Sequence, residues 1–395
     1  MERRAEQAAR YFYSHLFHHN PDVRAMFPAR MEEQRDRLFA ALTSAATHVD
    51  DTDTLVPYLR ELGFDHRKFG ALPEHYPAVG ASLIATLKYF TGAAWTPEVE
   101  ASWVAAYGII SQVMIAAAEE TPAGVPRHWD GEIVQHERHG PDLAVLTVLP
   151  QLRYPYVAGQ YATLTIPEVP QVWRPYSVAN APRADGTLDF HVRRIPGGLL
   201  SDTLVRGVAK GGRIRLGPAL GTMRLPADPA ADLLMIAGGT GWAPVKALLE
   251  AAASARPRHR ARLLLAATRD EAVYDVPSLE RMAGAGLPME LAIEDPPRPG
   301  AVEPSGQVLL RELTRYGSQL RRLLSPDEWP ETFVSGPPAM VEAVRTQLEA
   351  FLGVPAERIH YDPYDRRMRP TQPAATRAEW LLMRRQRQVR WIRPR

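Results

Sequence analysis

Two glycine- and proline-rich corners carry the clearest chemical signal in the sequence. In AGGTGWAPVKALLE, residues 237 to 250, the apolar run DLLMI leads into Gly238, Gly239, Thr240 and Gly241, and Pro244 follows in what reads as the first turn of a helix. Glycines at such a corner let backbone N–H groups approach a pyrophosphate, and the positive end of the helix favours the negative charge. A tight turn needs glycine without any ligand, so it is the place between strand and helix that points to a nucleotide. FVSGPPAMVEAVRTQL repeats the arrangement, with Ser335, Gly336 and Pro337 at the corner. Both corners are expected at the carboxyl edge of one parallel sheet, where open α/β sheets bind ligands. The alternative is two unrelated turns.

WRPYSVAN, residues 173 to 180, offers a different phosphate site. On a strand Arg174 and Tyr176 face one side, so a guanidinium can hold a phosphate while the phenol packs on a flat ring, with Pro175 between them and the Ser177 hydroxyl beside them. Further on, IPGGLLSDTL sets Gly197, Gly198 and Ser201 at a helix start, a second place for a diphosphate. Taken singly, each reads equally well as a surface strand and a turn. The helical first third holds GFDHRKFGAL with His66. A lone helical histidine is most often solvated or internally satisfied, so His66 gains meaning only from its surroundings.

The elements that must position these residues follow from periodicity. Residues 1 to about 121 show apolar side chains at helical spacing, as in Leu38, Leu42, Ala46, Val49 and in Trp103, Tyr107, Ile110, Met114. At TPAGVPRHW, residues 121 to 129, Pro122, Gly124 and Pro126 mark a linker. Short alternating runs then appear (GEIVQHE, LAVLTVL, YATLTI, TLDFHVRRI, GRIRLG), which predict a small antiparallel barrel. From Asp232 the runs become apolar throughout (DLLMIAG, RLLLAAT, MELAI, ETFVSG) and alternate with helical stretches, the mark of buried parallel strands.

At 395 residues, two or three domains are expected. Cysteine is absent, which excludes disulfides, iron-sulfur clusters, thiolate metal sites and cysteine nucleophiles, so any redox chemistry must use a bound cofactor. The net charge of +2 hides an asymmetry: from Asp365 onward ten Arg stand against Asp365 and Glu379, a balance of +8, which leaves −6 for residues 1 to 364. No apolar run of membrane-spanning length and no secretory signal is visible, so a cytoplasmic protein is expected.

Taken in order, RPYS, GGLLS, GGTGWAP and SGPP resemble the ferredoxin-NADP reductase family over about residues 128 to 364. The resemblance implies that a barrel binds FAD through Arg174, Pro175, Tyr176 and Ser177, with Tyr161 of AGQY nearby, that an α/β domain binds a nicotinamide nucleotide, and that Tyr364 covers the flavin ring. Ser335 departs from the family, which carries Cys there. Upstream, YFYSHLFHHNPDVRAMFP, QRDRLFAAL, PEHYPAVG and EASWVAAYGII are similar to the globin domain of flavohaemoglobins. By that match His66 is the proximal haem ligand, Phe27 packs on the porphyrin, Tyr13 and Gln34 line the distal side, Leu38 closes the pocket and Tyr76 is linked to the proximal His. A phenol and an amide opposite an imidazole suit a haem that binds oxygen. His15, His18, His19 and His48 match no ligand position and are expected to be solvated.

The globin resemblance has its own departures. The family's first helix falls largely outside the sequence. Ala118, with Glu119 next to it, occupies the place of a Glu that acts with the Tyr on the proximal His, and Asp65 stands where the best-known members carry Lys, so contact between haem and flavin is expected to differ. The chain also runs 31 residues past Tyr364.

Together these readings imply a multidomain chain: an all-α globin over 1–121, an antiparallel β-barrel FAD domain over 128–227, an α/β parallel-sheet NAD(P)-binding domain over 231–364 and an Arg-rich extension over 365–395. The implied cofactors are haem b, FAD and NADH or NADPH. Arg269 could reach a 2′-phosphate while Asp270 and Glu271 would disfavour one. The family reaction is dioxygenation of nitric oxide to nitrate, with O2 and NO as substrates. A general NAD(P)H-driven reductase or peroxidase and a gas-binding sensor or store are the alternatives. No membrane span is expected, and no nucleic acid unless through the basic tail.

Overall fold

The helical period of the first third becomes four long helices among the described residues: α1 (Glu2–His19), α2 (Thr52–His66), α3 (Tyr76–Thr91) and α4 (Pro97–Glu119). The computed structural model describes residues 2–32, 34–36, 38, 41, 51–121, 124–228, 230–255, 259–268, 273–294, 309–310, 313 and 329–362. His48, Arg269, Asp270, Glu271, Tyr364 and the extension 365–395 therefore lie outside the described residues. The start of α4 is fixed locally: the Thr96 hydroxyl accepts from the Val99 N–H at 3.3 Å and Pro97 takes the first helical position. Glycines let the helices close. A Cβ on Gly63 would strike the Met114 backbone where α2 crosses α4, and one on Gly80 would sit 2.6 Å from the Tyr107 ring between α3 and α4. By length and mean hydropathy (1.5) α4 could cross a membrane, but Met114 and Ala117 are buried within the helical domain.

The alternating runs form a six-stranded antiparallel sheet, β1 (Trp129–Arg138), β2 (Leu143–Pro150), β3 (Tyr161–Thr165), β4 (Arg174–Ser177), β5 (Leu188–Arg193) and β6 (Arg213–Leu220), in the order β4-β3-β6-β1-β2-β5. A bridge between Val178 and Phe190 links its two edges and nearly closes the barrel. Ile133, Leu146, Leu164, Phe190 and Leu216 fill the interior, joined by Leu200 and Leu204 of the short helix α5 (Leu199–Arg206). Each of these side chains is at most 1% exposed, which at roughly 1.5–3 kcal/mol apiece makes this cluster the main support of the barrel.

The apolar runs form a parallel sheet, β7 (Leu233–Gly238), β8 (Ala261–Thr268), β9 (Met289–Glu294), β10 (Glu331–Ser335) and β11 (Ile359–His360), in the order β11-β10-β7-β8-β9. Every residue of β7 is buried, as a central strand covered on both faces requires. Its alternate side chains enter two cores: Leu233 and Met235 meet Trp242 and Leu248 of α6 (Trp242–Ser254), while Leu234 and Ile236 meet Val344 of α8 (Pro338–Thr346). Helix α7 (Val276–Gly284) follows β8. The expectation that both glycine corners share one sheet edge is met, because β7 and β10 are parallel neighbours with Ser335 opposite Ala237.

Candidate functional sites

In the globin domain Tyr13, 5% exposed, stands edge-on to Phe27 with ring centroids 5.6 Å apart, and its hydroxyl donates to the Gln34 main-chain oxygen at 3.3 Å. Phe27 and Leu38 pack on the same cluster as Tyr13 and Leu83, so the structure brings together three of the residues expected on the distal side and at the porphyrin; Gln34 is partly buried beside them. His66 is the last residue of α2, and its Nδ1 lies 2.7 Å from the Leu62 carbonyl oxygen one turn back. That contact assigns the proton to Nδ1 and makes Nε2 the lone-pair nitrogen, with the ring held in place, which is the form an iron ligand needs. His66 therefore fits a haem.

Tyr76 opens α3; its carbonyl accepts from the Tyr107 hydroxyl at 2.7 Å, and burial pushes its own phenol pKa up. Ala118 is partly buried and Glu119 exposed. His18 and His19 are exposed as expected. His15 is not simply solvated: it is partly buried, and its Nδ1 is 3.1 Å from the Ser82 hydroxyl, because α1 packs its flank on α3 at this point.

In the barrel, β3 and β4 pair so that Tyr161 faces Ser177, Ala162 faces Tyr176, Thr163 faces Pro175 and Leu164 faces Arg174. Tyr161 is thus beside the RPYS strand, as expected. Burial lowers the Arg174 guanidinium pKa and raises that of the Tyr176 phenol. A guanidinium already partly withdrawn from water binds a phosphate with less desolvation still to come, which suits a flavin diphosphate. Gly197 has φ 75° and Gly198 caps α5, whose first-turn N–H groups have no intrahelical partner. The Ser201 hydroxyl accepts from the Ile195 N–H at 3.0 Å and donates to the Gly198 carbonyl at 3.1 Å, so this side chain shapes the turn.

At the parallel-sheet edge Gly239 has φ 54°. A Cβ on Gly241 would strike the Ser335 carbonyl, and the Met340 sulfur lies where a Cβ on Gly238 would go, so the two corners touch and neither tolerates a larger residue. Pro244 is buried in the first turn of α6. Ser335 itself is fully buried. Beside the corner lies a shallow cleft lined by Arg193, Gly239, Trp242, Leu265, Tyr274 and Asp275. Trp242 Nε1 donates to Asp275 at 2.9 Å and Lys246 Nζ is 3.1 Å away. Burial of Asp275 works against its charge, yet hydrogen bonds from Ser278, Trp242 and Lys246 hold its pKa below the usual carboxylate value. Arg193 and Asp275 were not evident from sequence; the available signal for Arg193 was a basic residue ending a strand just before the IPGG turn.

Comparison with known proteins agrees with this architecture. The Globin family model matches residues 10–114, the oxidoreductase FAD-binding domain residues 131–224 and the oxidoreductase NAD-binding domain residues 235–346. The chain therefore carries, in order, a globin domain, an FAD-binding oxidoreductase domain and an NAD-binding oxidoreductase domain, the architecture of the flavohaemoglobins. It is 29% identical over 381 residues to a flavohemoprotein of Rhodopirellula baltica, covering 91% of this chain and 92% of that one. It is 25% identical over 378 residues to a flavohemoprotein of Bacillus subtilis, covering 92% and 93%. In three dimensions it matches a flavohemoglobin from Malassezia yamatoensis, solved with bound FAD and heme, at TM-score 0.71 and 18% identity over 91% of this chain and 94% of that one.

Proposed function

We propose that this chain is a flavohaemoglobin and an NAD(P)H-dependent nitric oxide dioxygenase that converts NO and O2 to nitrate, with haem b on His66 and FAD on the barrel. The observation that carries the reading is the His66 ring held by Leu62 in the metal-ligand tautomer, on one chain with a half-buried Arg174–Tyr176 strand and two glycine corners at a sheet edge. A flavin held on the barrel would supply the conversion between two-electron hydride chemistry and single-electron transfer, and a haem held by His66 would supply the site for the gases.

The chain's own residues bind, orient and exclude. Arg174 and the first-turn amides of α5 hold the flavin diphosphate, Tyr176 and Tyr161 flank its ring system, and Gly238, Gly239, Thr240 and Gly241 admit the nucleotide diphosphate. Ser335, Gly336 and Pro337 would border the nicotinamide. Phe27 and Leu38 would keep water from the distal pocket, the Tyr13 hydroxyl would turn from the Gln34 main-chain oxygen to donate to a gas ligand, with the Gln34 side chain beside it, and Tyr76 would support His66. Joining NO and O2 to give nitrate calls for little acid-base machinery from the protein, so this sparse pocket would suffice.

The test is spectroscopic and kinetic. The parent protein is expected to show a Soret band, flavin absorbance reduced anaerobically by NADH or NADPH, and nitrate formation from NO under air. His66→Ala is expected to lose the Soret band and nitrate formation while keeping a full flavin complement. A normal haem content in that variant would overturn the ligand assignment, and a parent that binds NO without nucleotide turnover would favour a sensor.

A further inference from the structure

The residue before the haem ligand, Asp65, is 4% exposed, and Lys68 just after it is 8% exposed. The Lys68 ammonium donates to the Asp65 carboxylate at 2.5 Å and, across the domain boundary, to the Thr163 hydroxyl of β3 at 2.8 Å. It also lies 5.0 Å from the Phe69 ring centroid and 5.4 Å from that of Trp173, the residue before Arg174. Thr163 is paired in register with Pro175, between Arg174 and Tyr176. A short, buried and continuous route therefore joins the helix end that carries His66 to the strand read as the flavin cradle.

The chemistry of this junction makes it sensitive to position. A buried ammonium is costly unless its donors are satisfied, and the two rings beside it offer no hydrogen-bond acceptor. If the globin slid along the barrel, Lys68 would keep Asp65, which travels with it, and lose Thr163. The space is filled: a Cβ on Gly217 of β6 would strike the Thr163 hydroxyl and sit 3.2 Å from Lys68 Cδ. The Tyr154 hydroxyl donates to the Gly217 carbonyl at 2.8 Å and closes the junction from below. Other described contacts between globin and barrel are closer to solvent, such as Gln171 Nε2 to the Ala25 carbonyl at 3.3 Å.

We infer that Lys68, held by Asp65 and bonded to Thr163, is a positioning clamp that seats the haem-bearing helix end against the flavin-bearing strand and so sets the rate of electron transfer between them. The inference rests on the proposed haem and flavin sites.

The test uses holoprotein under anaerobic CO, mixed with NADH, following flavin bleaching and then formation of the ferrous CO–haem band. Thr163→Val keeps the side-chain shape and the Asp65–Lys68 pair but removes the acceptor. It is expected to leave flavin reduction unchanged and to slow the flavin-to-haem step on the order of tenfold or more, the scale of small misplacements between reacting groups. Thr163→Ser restores the hydroxyl and should restore the rate. Gly217→Ala, which wedges the same junction from β6, should slow the step as Thr163→Val does. Amide hydrogen exchange over residues 66–72 and 161–165 should quicken in Thr163→Val and not in Thr163→Ser. A Val variant with parental transfer rate and exchange, a slowed step that Ser does not restore, or loss of FAD from both Thr163→Val and Gly217→Ala would overturn the clamp. A parent lacking a haem or flavin band would instead defeat the site assignments, while the exchange measurement still reports on the junction.

Discussion

Arg174 is half-buried in the folded protein, so its contact with a phosphate would be a partly shielded, charge-assisted hydrogen bond. Losing a charge-assisted hydrogen bond of this kind costs about 1.5–3 kcal/mol, or roughly ten- to a hundredfold in affinity. Arg174→Ala should therefore lower FAD occupancy of the purified protein while leaving haem content intact, measured as the flavin-to-haem absorbance ratio after extraction. An unchanged ratio would mean the barrel strand has another task. At this scale the sequence reveals residues whose type is rare for the role: few side chains can ligate haem iron or grip a diphosphate, and His66 and RPYS sit in recognisable order. Lys68 and Thr163 escaped notice because they are 95 positions apart and neither is unusual where it stands. Burial of Ser335 was equally invisible, since it arises from the opposing glycine corner rather than from neighbours in sequence.

At the scale of elements, period and composition carried most of the fold. Continuous apolar runs such as DLLMIAG can only be strands covered on both faces, and the alternation in LAVLTVL matches β2 closely. What escaped was the two-residue strand β11, too short to have a period, and the bridge from Val178 to Phe190 that closes the barrel. Contact between elements of different domains also escaped. His191 of β5 is buried, its Nδ1 is 2.8 Å from the Tyr274 hydroxyl just before α7, and its Nε2 has no hydrogen-bond partner among the described residues. Burial pushes its pKa down from 6.5 to about 3, with Lys246 and His139 adding to the shift and Asp275 and Asp189 opposing it. The unfolded chain takes up this proton first, so the stabilisation is complete above about pH 6.5 and is lost as pH falls toward 3, at no more than about 1.4 kcal/mol per pH unit. His191→Gln, which keeps a polar group near Tyr274, should flatten this acid loss. Thermal melts of parent and variant at neutral pH and near pH 5 decide it: equal losses of Tm on acidification would place the acid sensitivity elsewhere.

At the scale of the whole molecule, three modules follow one another in fixed order, and the two ends of the electron route that the proposed function assigns to them are separate in structure. The glycine corners are built from β7, β10, α6 and α8, whereas the Tyr13–Phe27 cluster draws on α1, α3 and α4 and shares no core cluster with them among the described residues. A change at one end should leave the other untouched, which makes Ser335 a clean probe. It ends β10 fully buried, with its carbonyl against Gly241 and Met340 lying over Gly238 and Gly336 beside it. Sulfur is larger and more polarisable than oxygen, so Ser335→Cys would press on this corner and hold a nicotinamide ring closer to the flavin if the two are in contact. The expected outcome is a changed rate of anaerobic flavin reduction by NAD(P)H, upward if the contact is made, with the haem spectrum and CO binding as in the parent. Stopped-flow traces that coincide for the two proteins would show that Ser335 does not govern the hydride step. A shifted CO–haem spectrum in the variant would show that the two ends are coupled through the barrel, contrary to their separate cores.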